Sequence, residues 1–149
     1  MIRGRFEQSP VYRESRHAIA APFLRGLVWL PDYDVSAEVP FFVDTGADLT
    51  VLHRADAMRL LATAEQWKRL ARGKPKQFLG VASDALYYPA EAVITFVHDN
   101  GDLELVETLV HIAEPTRSAA DMESLLGRDV LSQFVTVFHG LEELTLERI

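Results

Sequence analysis

Between Val35 and Leu52 the sequence restricts its own structure more narrowly than anywhere else. Val35, Ala37, Val39, Phe41 and Val43 all occupy odd positions, a period of two that puts them on one face of a strand. Asp44 falls on the other face, in register with Ser36, Glu38 and Phe42, and Pro40 marks an edge or a bulge along the way. Leu49 to Leu52 reads as a second strand. The turn between them is Asp44-Thr45-Gly46-Ala47. A carboxylate set between two apolar runs is costly unless it is paired or used. Asp44 offers an acid or a base, the Thr45 hydroxyl can hydrogen-bond to lock the backbone, and Gly46 permits a close approach that any side chain would block.

The surrounding chain reads as mainly β. Residues 1–20 form a polar leader with no assigned role and a short strand around Val11 to Arg13. From Ala21 to Leu30 the apolar density rises, and Pro31-Asp32-Tyr33-Asp34 reads as a turn between two strands. After Leu52 the period changes. Ala57, Leu60, Leu61, Ala64, Trp67, Leu70 and Ala71 recur at helical spacing until Gly73-Lys74-Pro75, and the capping box Thr63-Ala64-Glu65-Gln66 divides the segment into two short helices. Their apolar stripe, Trp67 included, is expected to pack on the sheet. Strands resume near Gln77, with a hairpin tip at Gly80-Val81-Ala82-Ser83-Asp84. Asp99-Asn100-Gly101 joins Ala92–His98 to Leu103–Ile112 as the clearest hairpin. Val135 to Phe138 and Leu144 to Ile149 close the chain around Gly140. The expectation is one domain over residues 21–149, with a few short helices.

Composition removes several function classes. The chain has 149 residues, enough to bury a core without staples, and no cysteine, which excludes disulfides and thiolate metal sites. A formal net charge of −7 argues against nucleic acid or an anionic membrane as partner. The basic cluster Lys68, Arg69, Arg72, Lys74 and Lys76 is interrupted by apolar residues at helical spacing and reads as a solvated face. No stretch approaches the roughly 18 apolar residues of a membrane span, and the expected location is the cytoplasm. His17, His53, His98, His111 and His139 show no metal-ligand spacing. No phosphate loop or Gly-x-Ser-x-Gly elbow occurs either, so no metal and no cofactor is expected.

A second motif stands late in the chain: Leu125-Leu126, then Gly127-Arg128-Asp129, then the short apolar helix beginning Val130-Leu131. An Asp-Thr-Gly-Ala turn after an apolar strand, followed in this order by an apolar pair and Gly-Arg-Asp, resembles the retroviral-type aspartic proteases, the retropepsins, over about residues 35–139. The resemblance implies a closed β-barrel with a flap hairpin and an aspartic endopeptidase activity. Asp44 would be the catalytic carboxylate, supported by Thr45, Gly46 and Ala47. Arg128 would pair with Asp48 to pin the turn, a structural role for both. Lys74 to Ala82 resembles the flap entry, which makes Gly80, Val81 and Ala82 flap or substrate contacts. Two departures stand out: only Gly80 remains of the glycine-rich flap, and the helical insert between Leu52 and Gly73 is longer than the family's pattern. Tyr87 or Tyr88 is a candidate for the cleft, although a strand tyrosine is more often a packed, half-buried side chain.

Aspartic proteolysis uses two carboxylates that share a proton. This chain has one Asp-Thr-Gly, and a two-lobed duplicated enzyme needs about twice the length. The resemblance therefore implies a homodimer that brings two copies of Asp44 together across a twofold axis and acts on a peptide or protein substrate. Leu144 to Ile149 is the candidate strand for pairing across that interface. The alternative expectation is a retropepsin-like module that binds or dimerises without turnover.

Overall fold

A computed structural model describes residues 1–8, 20–77, 85–115 and 122–149. The strand expected near Val11 to Arg13, the hairpin tip from Gly80 to Asp84, and the flap positions Gly80, Val81 and Ala82 lie outside the described residues. The elements in chain order are β1 (Ile2–Glu7), β2 (Ala21–Leu30), β3 (Val35–Val43), β4 (Val51–Leu52), α1 (Arg54–Leu60) and α2 (Ala64–Leu70). They continue with β5 (Tyr87–Val97), β6 (Leu103–Ala113), β7 (Leu125–Leu126), α3 (Arg128–Leu131), β8 (Phe134–His139) and β9 (Glu143–Arg148). The chain is mainly β. The described strands form one mixed sheet in the order β3-β7-β4-β6-β5-β2-β1-β9-β8, and β2 pairs with β3 as well.

Alternation builds the two long hairpins. In β3 the odd positions turn inward, with Val39, Phe41 and Val43 buried, while β2 buries Leu24 opposite Phe41, Val28 opposite Ala37 and Leu30 opposite Val35. The turn Pro31–Asp34 closes this hairpin with Asp34 at φ 49°, a left-handed conformation that aspartate tolerates better than most residues. Asn100-Gly101 closes β5 on β6, with Gly101 at φ 90°. Among the described residues, Pro40 sits where β3 has a strand neighbour only on its β2 side, since β7 reaches only Phe42 and Val43. On that open stretch the Glu38 carbonyl accepts a hydrogen bond from Arg59 of α1 at 2.8 Å instead.

The helices follow the sequence pattern closely. Thr63 Oγ1 accepts from Gln66 N, and Gln66 Oε1 accepts from Thr63 N, so both halves of the capping box form. Leu60, Leu61 and Leu70 join the core formed by β2, β3, β5 and β6. Trp67 is half-buried against that core and donates its indole N–H to the Leu61 carbonyl at 2.7 Å.

The two ends of the chain carry pairing that the local pattern does not show. The first residues form β1, paired antiparallel to both β2 and β9, with Ile2 in the core. The alternation was hidden because Gly4 holds an inward position: a Cβ there would meet the Phe23 carbonyl oxygen at 2.4 Å. The last strand, β9, is paired on both edges within the chain, to β1 and to β8. Glu143–Leu146 are thus bonded on both sides within the chain, whereas β8 pairs with β9 alone among the described residues.

Candidate functional site

The Asp44 turn begins where β3 ends. Asp44 is half-buried, whereas Thr45 and Gly46 are exposed. The Gly46 N–H donates to Asp44 Oδ1 at 2.8 Å, and the Ala47 N–H donates to the Asp44 carbonyl at 3.2 Å. The approach is close: a Cβ on Gly46 would lie 3.1 Å from Asp44 Oδ1, so the carboxylate would have to shift by a few tenths of an ångström. Oδ2 takes no hydrogen bond among the described residues, which leaves one carboxylate oxygen for chemistry.

The second motif clamps this turn from inside the sheet. β7 lies between the strand entering the turn and the strand leaving it, parallel to β3 through Phe42–Leu125 and Val43–Leu126, and antiparallel to β4 at Val51–Leu125. Phe42 N donates to the Ser124 carbonyl at 2.9 Å, and Asp44 N donates to the Leu126 carbonyl at 3.1 Å. Past Gly127, Arg128 N reaches the Ala47 carbonyl at 2.9 Å and Asp129 N the Asp48 carbonyl at 3.2 Å. The Arg128 guanidinium pairs with Asp48 and donates to the Thr45 carbonyl at 2.9 Å. Asp44, Thr45, Gly46, Ala47, Asp48 and Arg128 are thus brought together in one small region.

A polar anchor beneath the turn involves two residues, Thr50 and Asp129, to which the two motifs assign no role. Asp129 Oδ1 accepts from Thr50 Oγ1 at 2.8 Å and from Val130 N at 2.9 Å, while Oδ2 accepts from Thr50 N at 3.0 Å. Thr50 Oγ1 also accepts from Gly127 N at 3.1 Å. The signal was available: Thr50 is a polar residue inside an apolar run, and it is fully buried, where a hydroxyl needs partners. The Thr45 hydroxyl, expected to lock the turn, has no hydrogen bond among the described residues; the Thr50 hydroxyl does that work. Asp129→Asn is therefore expected to cost about 2 kcal/mol, because it turns an amide toward the Thr50 donors. Arg128→Ala, which loses a pair exposed on both sides, is expected to cost about 1 kcal/mol or less. Denaturant unfolding measures both, and the reverse ranking would place the anchor at the ion pair instead.

A buried polar network backs the clamp. His53, at the start of α1, faces the Glu123 carbonyl through Nδ1 and the Tyr87 hydroxyl through Nε2, the latter at 2.9 Å. Its backbone N–H donates to Ser124 Oγ at 3.1 Å, and that hydroxyl donates to Asp56 Oδ2 at 2.6 Å. Asp56 in turn pairs with Arg59. Tyr87 is buried in this network, while Tyr88 is half-buried against the main core.

Burial lowers the His53 pKa, partly offset by the Glu123 carbonyl and by the Asp56 and Glu123 charges. Burial also lowers that of His111, assisted by Lys76 and opposed by Asp129. The neutral ring is the folded form in both cases. As pH falls through the ordinary value of 6.5 the unfolded chain takes up protons first, so this stability is complete above 6.5 and is lost progressively below it. Unfolding free energy should therefore decline as pH falls below 6.5, and His53→Gln should flatten the decline. An unchanged slope in that variant would assign the acid sensitivity to other groups.

No group of three or more His, Asp or Glu side chains suited to a metal ion occurs among the described residues, and no described helix is long and apolar enough to cross a membrane. In comparisons with known proteins, no family model matches the chain and no curated sequence matches it.

Proposed function

We propose that this chain is a retropepsin-like aspartic endopeptidase that acts as a homodimer, each subunit giving one Asp44. The observation that carries the proposal is the Asp44 turn. One carboxylate oxygen is held by Gly46 N–H, the backbone is clamped by Leu126, Arg128 and Asp129, and the other oxygen has no partner among the described residues. So much structure committed to holding one accessible carboxylate fits a catalytic group better than a structural one. The β2–β3 pairing links the strand order back on itself, as the closed barrel of this reading requires.

The second carboxylate comes from a second copy. β8 is the sheet's last strand and pairs only with β9 among the described residues. Val135, Val137 and Phe138 are exposed on it. From Gln133 to Leu141 there is no Asp, Glu, Lys or Arg, although sheet edges are ordinarily protected by charge or proline. In a chain of net charge −7, this neutral edge is where a copy approaches with least repulsion.

In the dimer one Asp44 is ionised and takes a proton from a water molecule. The other is protonated and donates a hydrogen bond to the scissile carbonyl. The water oxygen bonds to the carbonyl carbon, and the tetrahedral intermediate collapses as a proton passes to the departing amine. Cleavage of an unfolded protein substrate between about pH 4 and pH 7, compared with Asp44→Asn, tests the reading. Cleavage by wild type alone is expected. If both proteins are dimeric and equally inert, the chain is a binding or dimerisation module and the enzymatic reading falls.

A further inference from the structure

The outer face of β2, β5 and β6 has a composition unlike that of a solvated sheet face. An antiparallel sheet with one wet side normally alternates apolar and polar residues. Here the inward positions Val28, Ile94, Phe96 and Val106 are buried, yet the outward ones are also apolar. Leu27, Trp29, Val97, Leu103, Leu105 and Leu109 are each more than two-fifths exposed. The register makes them neighbours: Leu27 stands opposite Thr95 and Thr95 opposite Leu105, Trp29 opposite Val93 and Val93 opposite Glu107, Val97 opposite Leu103, and Glu91 opposite Leu109. A contiguous apolar patch of this kind marks an interaction surface.

Two grooves cross the patch, of about 650 Å³ and 540 Å³. They share Trp29, Val93 and Glu107, so they form one surface feature. Glu91 and Glu107 are exposed within it, and neither has an ion-pair partner among the described residues. Arg148, at the far end of the second groove, is already engaged by Glu104 at 3.5 Å. The unmatched charge on this face is therefore negative.

We propose that this face docks a polypeptide segment of another protein in which Lys or Arg alternates with apolar side chains. The apolar residues of such a segment cover Leu27, Leu105 and Leu109, while its cation reaches Glu91 and Glu107 beside the Trp29 ring, which adds a cation–π contact. A second copy of this chain is the wrong occupant, because a twofold contact here sets glutamates against glutamates in a chain of net charge −7. An anionic bilayer is repelled for the same reason. The Trp29–Ser36 pair lies about 25 Å along β3 from Asp44, at roughly 3.3 Å per residue, so the Trp29 end of the face is remote from the turn.

The test uses two synthetic peptides, acetyl-(Leu-Lys)4-amide and acetyl-(Leu-Glu)4-amide, titrated into the full chain by calorimetry. The lysine peptide should bind and the glutamate peptide should not. Glu91→Gln combined with Glu107→Gln should weaken binding at least about tenfold, and so should Trp29→Ala. Glu65→Gln, an exposed carboxylate on α2, should leave it unchanged. Equal weakening by Glu65→Gln, or equal binding of the two peptides, would overturn the proposal as non-specific attraction. Loss of self-association in Leu105→Ser would overturn it in favour of a second copy.

Discussion

Gly127→Ala is expected to lower the unfolding free energy by about 3 kcal/mol or more, one of the larger effects a single methyl group can have. For a domain of this size that corresponds to a fall in Tm of roughly 10 °C. The reason is purely steric. A Cβ at Gly127 would meet the Leu49 carbonyl carbon at 2.5 Å, its oxygen at 2.6 Å and its nitrogen at 2.9 Å. All three are backbone atoms, so no side chain can rotate out of the way. The same two segments are tied by the hydrogen bonds Arg128 N to Ala47 O and Asp129 N to Asp48 O, and separating them loosens the Asp44 turn. Gly140→Ala is the informative control. Gly140 has φ 61° but nothing within contact distance of a Cβ, so only the left-handed backbone is strained, at about 1 kcal/mol. Thermal unfolding of the two variants side by side measures the difference. Equal, small losses would mean that the crossing of the two motifs is not close-packed.

Asp44→Asn is expected to reduce kcat/KM by about a thousandfold or more while changing stability by less than about 1 kcal/mol. The asparagine side-chain oxygen can still accept the Gly46 N–H that Asp44 Oδ1 accepts at 2.8 Å, so the turn keeps its shape. What is lost is the ability to hold and transfer a proton, and in the proposed homodimer it is lost from both subunits at once. A variant that loses its fold along with its activity would leave Asp44 with a structural role, so the unfolding measurement belongs with the kinetic one.

Local patterns in the sequence account for much of this. The period of two in β3, the capping box at Thr63 and the Asn100-Gly101 turn each act within a few residues, and each appears in the structure with the expected partners. The elements that were not legible depend on distant chain. β1 reads as polar because Gly4 takes a core-facing position whose space is filled by the Phe23 backbone and Leu144. The Thr50–Asp129 anchor joins residues far apart in the chain: Thr50, a polar residue inside an apolar run, signals that a partner is needed but not which one. β8 and β9 both alternate, and only the pairing of β9 on both sides distinguishes it from β8, which pairs with β9 alone among the described residues.

A site shared between two subunits is tested most directly by subunit mixing. Wild-type and Asp44→Asn chains are combined in equal amounts, allowed to exchange partners, and assayed for peptide hydrolysis against wild type at the same total concentration. If both copies of Asp44 are needed, only the wild-type homodimers work, and activity falls to about one quarter. Activity of about one half, scaling in proportion to the wild-type fraction, would mean that each chain carries a complete site and would contradict the shared carboxylate pair.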